Sequence, residues 1–122
     1  MAGVIQIQLG LSLTNGNLKV NVPTQNVSLV QAGSHSGAAV VDVTTTAAAL
    51  VFPSGIATAG YGYFQNLDPT NYLQLGVEVS STFYPLVQIP PLGVALIPLA
   101  TLTVYAKANT ATCQLLYNLL EA

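Results

Sequence analysis

Charge is the scarcest feature of this 122-residue chain. Lys19, Lys107, Asp42, Asp68, Glu78 and Glu121 are its only charged side chains, joined by the single histidine His35, and they make up 5% of residues where a soluble domain usually has about 25%. Two cations cannot neutralise a run of phosphates, and a net charge of −2 repels a polyanion, so nucleic-acid binding is excluded. A disordered acidic chain is excluded too, because 52% of the residues are hydrophobic. Tryptophan is absent. The one cysteine, Cys113, has no partner for an intrachain disulfide or a thiolate metal cluster, and reads as a small apolar side chain buried on a strand.

Targeting and membrane signals are missing as well. The start, Met1-Ala2-Gly3-Val4-Ile5-Gln6, lacks the cationic head of a secretory leader, so the expectation is no export. The most apolar stretch, Leu92 to Tyr105, is too short to span a bilayer and is broken by Pro98, Thr101 and Thr103. No membrane association is expected.

The catalytic inventory is equally thin. His35 lies between Ser34 and Ser36 in a glycine-flanked loop, where neighbours rarely point at each other, and no Gly-x-Ser-x-Gly elbow exists. Asp68 and Glu78 could approach each other as glycosidase carboxylates do, but Asp68 opens Asp-Pro-Thr-Asn, where an aspartate caps the turn. One histidine and scattered acids make no metal set, and Gly60-Tyr61-Gly62 lacks the lysine and helix of a phosphate loop. The expectation is a non-enzyme without cofactor, metal or small-molecule substrate.

What the chain does have is strand periodicity. Ile5, Ile7, Leu9, Leu11 and Leu13 alternate with Gln6, Gln8, Gly10, Ser12 and Thr14. Asn15-Gly16 suits a tight turn, and Leu18, Val20 and Val22 alternate after it, so residues 1–22 read as a β-hairpin ended by Pro23. A short strand over Val27–Gln31 precedes the loop Gly33–Gly37. Further strands are expected around Val40–Val43, Thr44–Leu50, Tyr61–Leu67, Tyr72–Val79, Phe83–Ile89, Val94–Leu99, Leu102–Ala106 and Cys113–Leu120, with a second hairpin across Asp68-Pro69-Thr70-Asn71. Eight to ten short strands with regular turn signals predict an all-β fold, a single antiparallel β-sandwich or jelly-roll-like domain over residues 1–122.

The surface of such a domain must be built from Ser, Thr, Asn, Gln and apolar residues. A free monomer ordinarily relies on net charge for solubility and on lysines to block its sheet edges, and this chain has neither protection. Lasting assembly with copies of itself or another protein is the expectation, with Ile5, Ile7, Leu9, Leu11 and Leu13 as the candidate interface. The hairpin carrying them can pack at home or extend as an arm onto a neighbour's sheet. Tyr61, Tyr63, Tyr72, Tyr84, Tyr105 and Tyr117 leave a glycan-stacking platform as a reading of another class, one that needs an exposed tyrosine cluster.

Several segments resemble small structural proteins of tailed bacteriophages and prophages. They are Tyr63-Phe64-Gln65-Asn66-Leu67-Asp68-Pro69-Thr70-Asn71-Tyr72, Leu75-Gly76, Phe83-Tyr84-Pro85, Leu92-Gly93-Val94-Ala95-Leu96, and Tyr105-Ala106-Lys107-Ala108-Asn109-Thr110-Ala111. The likeness covers about two-thirds of the chain in patches and departs from the family pattern at Val94, where an acidic residue is expected. It implies a virion component assembled in the host cytoplasm: a capsid cement or decoration protein, homotrimeric and bound to the major capsid protein. A tail, head–tail connector or fibre-base subunit is the alternative.

Overall fold

A computed structural model describes residues 3–31 and 33–121. Met1 and Ala2, the first two residues of the expected hairpin, lie outside the described residues, as do Ala32 and Ala122. The regular elements are β1 (Gly3–Asn15), β2 (Leu18–Gln31), β3 (Ser36–Val43), β4 (Ala48–Ala49), β5 (Ala59–Asn66), β6 (Leu73–Val79), β7 (Thr82–Ile89), β8 (Val94–Pro98), β9 (Tyr105–Ala108) and β10 (Cys113–Glu121). The chain is all-β, and it divides into two units, residues 1–34 and 35–122.

The first unit is a two-stranded antiparallel ribbon of β1 and β2. Its turn is Gly16-Asn17, with Asn15 paired to Leu18 and Gly16 at φ +57°, the geometry that favours glycine at the first central position of a two-residue hairpin. Pro23 does not end the ribbon. Leu9 pairs with Gln25 while Leu11 pairs with Val22, so β2 carries one extra residue at Pro23-Thr24, a bulge where the absent proline N–H costs no ladder bond. Val27–Gln31, expected as a separate strand, is therefore the far half of β2.

The second unit is a sandwich of two four-stranded sheets, ordered β3-β10-β5-β8 and β4-β9-β6-β7. The pairs β3/β10, β4/β9, β5/β8 and β6/β7 are nested and all antiparallel, so the chain runs as one long hairpin, folded over itself so that β10 meets β5 and β9 meets β6. That is the jelly roll, whose Greek keys leave all connections except β6–β7 crossing from sheet to sheet. The tetrapeptide 68–71 is one of these crossings. It joins β5 of one sheet to β6 of the other and is not the hairpin its turn residues suggested. The segment Thr44–Leu50 contributes only the two residues of β4, because Thr44 turns the chain with its hydroxyl bonded to the backbone of Thr46.

Alternation builds the core between the sheets. On β10, Cys113, Leu115, Tyr117 and Leu119 face inward, meeting Phe64 of β5, Leu73 and Leu75 of β6, Ile89 of β7 and the small Ala106 and Ala108 of β9. Tyr117 sets its ring edge-on to Phe52 at 5.2 Å and 84°, and its hydroxyl donates to the Val51 carbonyl at 3.4 Å. One amide shares this interior. Asn66 is fully buried at the end of β5; its Nδ2 donates to the carbonyls of Asn71 (2.8 Å), Pro90 (3.2 Å) and Ile89 (3.3 Å), and its Oδ1 accepts the Asp68 N–H at 3.0 Å.

The tip of the long hairpin is Ser80-Ser81, with φ values of +51° and +65°. Both residues occupy the left-handed region, which costs an ordinary L-residue roughly 1–2 kcal/mol and is usually given to Asn-Gly. The double substitution Ser80→Asn, Ser81→Gly is expected to stabilise the sandwich by about 1 kcal/mol, read as an increase in the denaturant midpoint at unchanged slope.

Candidate interaction surface

The sequence's chemical candidates are scattered or structurally engaged. His35 is turned to the opposite end of the chain, its Nδ1 2.8 Å from Glu121 Oε2. The same oxygen accepts the His35 backbone N–H at 3.1 Å, and Oε1 accepts the Ala57 N–H at 2.9 Å. Glu121 is buried, so this carboxylate ties the start of β3 and the loop before β5 to the end of β10. A charge deep in a strand is affordable only with such partners. Asp68 precedes β6 and Glu78 lies near its far end, with about 17 Å of strand between Leu73 and Glu78, too far for a carboxylate pair. No group of three His, Cys, Asp or Glu residues that could hold a metal occurs among the described residues.

Asp68 caps its turn as its sequence context predicts, Oδ1 accepting from Asn71 N–H at 2.6 Å and Thr70 N–H at 2.7 Å. These bonds favour the ionised form and hold the Asp68 carboxyl below the ordinary carboxylate value. A group depressed on folding contributes stability that is present above its unfolded pKa, near 3.8, and is lost as pH falls through the lower folded value. Asp68→Asn, which keeps the acceptor oxygen but not the charge, should therefore lower the urea midpoint at neutral pH and flatten its acid limb below about pH 4, where variant and wild type converge.

Cys113 is fully buried, its Sγ among the carbonyls of Ala111, Asn71 and Tyr72 at 3.6–3.8 Å. Burial, with a smaller contribution from the Asp68 charge, pushes its thiol up. A thiol reagent such as DTNB is expected to label native protein at under about one-hundredth of the rate in denaturant; equal rates would remove the buried assignment.

The tyrosines do not form one exposed cluster. Tyr117 is in the core, Tyr61 and Tyr63 are half-buried on β5 of one sheet, and exposed Tyr84 is on β7 of the other. A stacking platform needs them side by side.

The apolar surface is more coherent. Residues paired across an antiparallel ladder share a face, so the β1 residues Leu9, Leu11 and Leu13 sit with Leu18, Val20 and Val22 of β2. The Pro23-Thr24 bulge shifts the phase of β2 by one residue, which keeps Val27 and Leu29 on this same face, opposite Ile7 and Ile5. Seven of these aliphatic residues, from Leu9 through Val27, are 37–64% exposed. Of the five candidate interface residues, Leu9, Leu11 and Leu13 are exposed, Ile5 is half-buried and Ile7 is buried. The return-strand members are the part the candidate set missed. The reverse face is polar along most of its length, with the pairs Gln6/Ser28, Gln8/Asn26, Ser12/Asn21 and Thr14/Lys19.

A second apolar feature belongs to the sandwich. Leu75, Val77, Leu86, Ile97, Leu99 and Val104 line an open notch of about 230 Å³ between the β7 and β8 sides of the two sheets. Leu86 is the extra residue of a second bulge, opposite Leu75-Gly76, and is 73% exposed. Comparison with protein-family models, curated proteins and solved structures found no match.

Proposed function

We propose that this protein is a non-enzymatic structural subunit of a bacteriophage particle, a trimeric capsid cement or decoration protein that stabilises the head by bridging neighbouring copies of the major capsid protein. The observation that carries the reading is the aliphatic face of the ribbon, exposed on a chain with only six charged side chains, one of them buried. Such a surface gains from lasting apolar contact and gives up few ionic hydration shells to obtain it. The phage-like segments supply the kind of particle. Their best-defined stretch, residues 63–72, supplies the Asn66 and Asp68 anchors of the sheet crossing, so its role in this chain is architectural. The jelly roll serves shells and lectins alike and leaves the choice to the surface.

The mechanism is mass action. Subunits that bind the assembled lattice and not its separated components make rupture less favourable by the free energy of every bound copy. The test is recovery of the chain from purified particles and its location by electron microscopy. Density on the shell, with particles lacking the protein rupturing at lower temperature, is the expected result. Density in the tail moves the subunit to a tail or connector role, and absence from intact particles overturns the proposal.

A further inference from the structure

We infer that the aliphatic face of the β1–β2 ribbon is the self-association surface of this protein, closing against the same face on further copies of the chain. The inference deepens the structural reading above and rests on it, naming the partner of a surface that reading leaves open.

By itself a two-stranded ribbon is a single layer, and an isolated hairpin is at best marginally stable in water. This one pairs 13 residues with 14 and keeps most of its aliphatic side chains on one face, Val4 and Val30 at its open end being the exceptions, and the bulge that accommodates Pro23 also holds that face in phase. Without that bulge Val27 and Leu29 would turn to the polar side. The seven exposed residues leave roughly 600 Å² of apolar surface, the upper limit of the largest patch on a typical monomer and near the ~800 Å² that each partner of a stable interface buries.

Charge identifies the occupant. A rotation axis through the face brings the residues nearest it against their own copies, so a charge at the centre of the face would meet its like. Lys19 is the single charged residue of the first 34, and it pairs with Thr14 on the reverse face. A face built for a partner of different sequence has no need of such neutrality and usually gains specificity from complementary charge.

The experiment is sedimentation of the full chain over a wide dilution series. Wild type is expected as a dimer or trimer, with association undiminished by added salt because the contact is uncharged. Leu11→Lys with Leu18→Lys should weaken self-association at least about a hundredfold, whereas Ser12→Lys with Asn26→Lys, adding the same charge to the reverse face, should not. Near-ultraviolet circular dichroism of the tyrosines reports whether the sandwich stays folded in each variant. A monomeric wild type, or an oligomer that survives the Leu11/Leu18 pair and is lost with the Ser12/Asn26 pair, overturns the inference. A monomer that is nevertheless recovered on particles leaves the structural role standing and removes only the ribbon pairing. Absence from particles removes the role whatever the state in solution.

Discussion

Asn66→Ala should lower the stability of the sandwich by about 3–4 kcal/mol and its midpoint temperature by about 15 °C, as measured by denaturant and thermal unfolding. The side chain is fully buried, and four backbone groups depend on it: the carbonyls of Asn71, Ile89 and Pro90 and the N–H of Asp68. These come from two different crossings between the sheets, the one after β5 and the one after β7. Truncation leaves buried polar groups without their partner and a void in their midst, and the costs add. Asn66→Asp is the sharper version, since it is isosteric but presents oxygen lone pairs to three carbonyls and places a carboxylate where no cation waits. Gln65→Ala, one position earlier with its side chain on the outer face, should change stability by less than about 0.5 kcal/mol. Equal effects at 65 and 66 would show that the anchor is not where the hydrogen bonds place it.

The same segment shows what a sequence states and what it withholds. Asp68-Pro69-Thr70-Asn71 is legible as a turn because local side-chain chemistry makes it one, and the Asp68 hydrogen bonds take the expected form. Whether the chain then pairs with the strand it has just left or crosses to the other sheet depends on partners some 20–50 residues away, and turn residues carry no record of that. The actual hairpin, β6 to β7, gave no glycine or asparagine to announce it, because Ser80 and Ser81 are held in left-handed geometry by the ladders on either side. Strand parity was the more informative signal. Counted from the buried Cys113, it assigns Leu115, Tyr117 and Leu119 to the interior, as the structure has them, and one step further it assigns Glu121 there too. In the ribbon, parity identified Leu9, Leu11 and Leu13, but Pro23 looked like a terminator. Only pairing reveals that a bulge absorbs it and returns Val27 and Leu29 to the same face.

Gly76→Ala is expected to cost at least ~3 kcal/mol and to open the β6–β7 ladder. Gly76 lies on an inner strand, paired to Pro85 of β7 on one side and Tyr105 of β9 on the other. A Cβ placed there would stand 2.1 Å from the Tyr84 carbonyl oxygen and 2.9 Å from Pro85 Cα. Both are backbone atoms at the bulge where β7 carries its extra residue, so no rotamer change relieves the clash, and β6 cannot retreat without leaving β9. Gly37 provides the comparison. Its Cβ would meet Pro53 Cγ at 2.4 Å, nearly as close, but Pro53 is an exposed loop residue that can shift. Gly37→Ala should therefore cost distinctly less, and distance alone would not have ranked the two so far apart. Amide hydrogen exchange separates a local opening from global loss: in Gly76→Ala the β7 amides paired to β6 should lose protection first, while β10 keeps its own until the sandwich unfolds. If β7 retains wild-type protection, the close approach at Gly76 is not what limits that edge. The consequence reaches the surface, because Leu75, Gly76, Val77, Leu86 and Val87 together form one wall of the apolar notch, and freeing β7 would leave the notch without it.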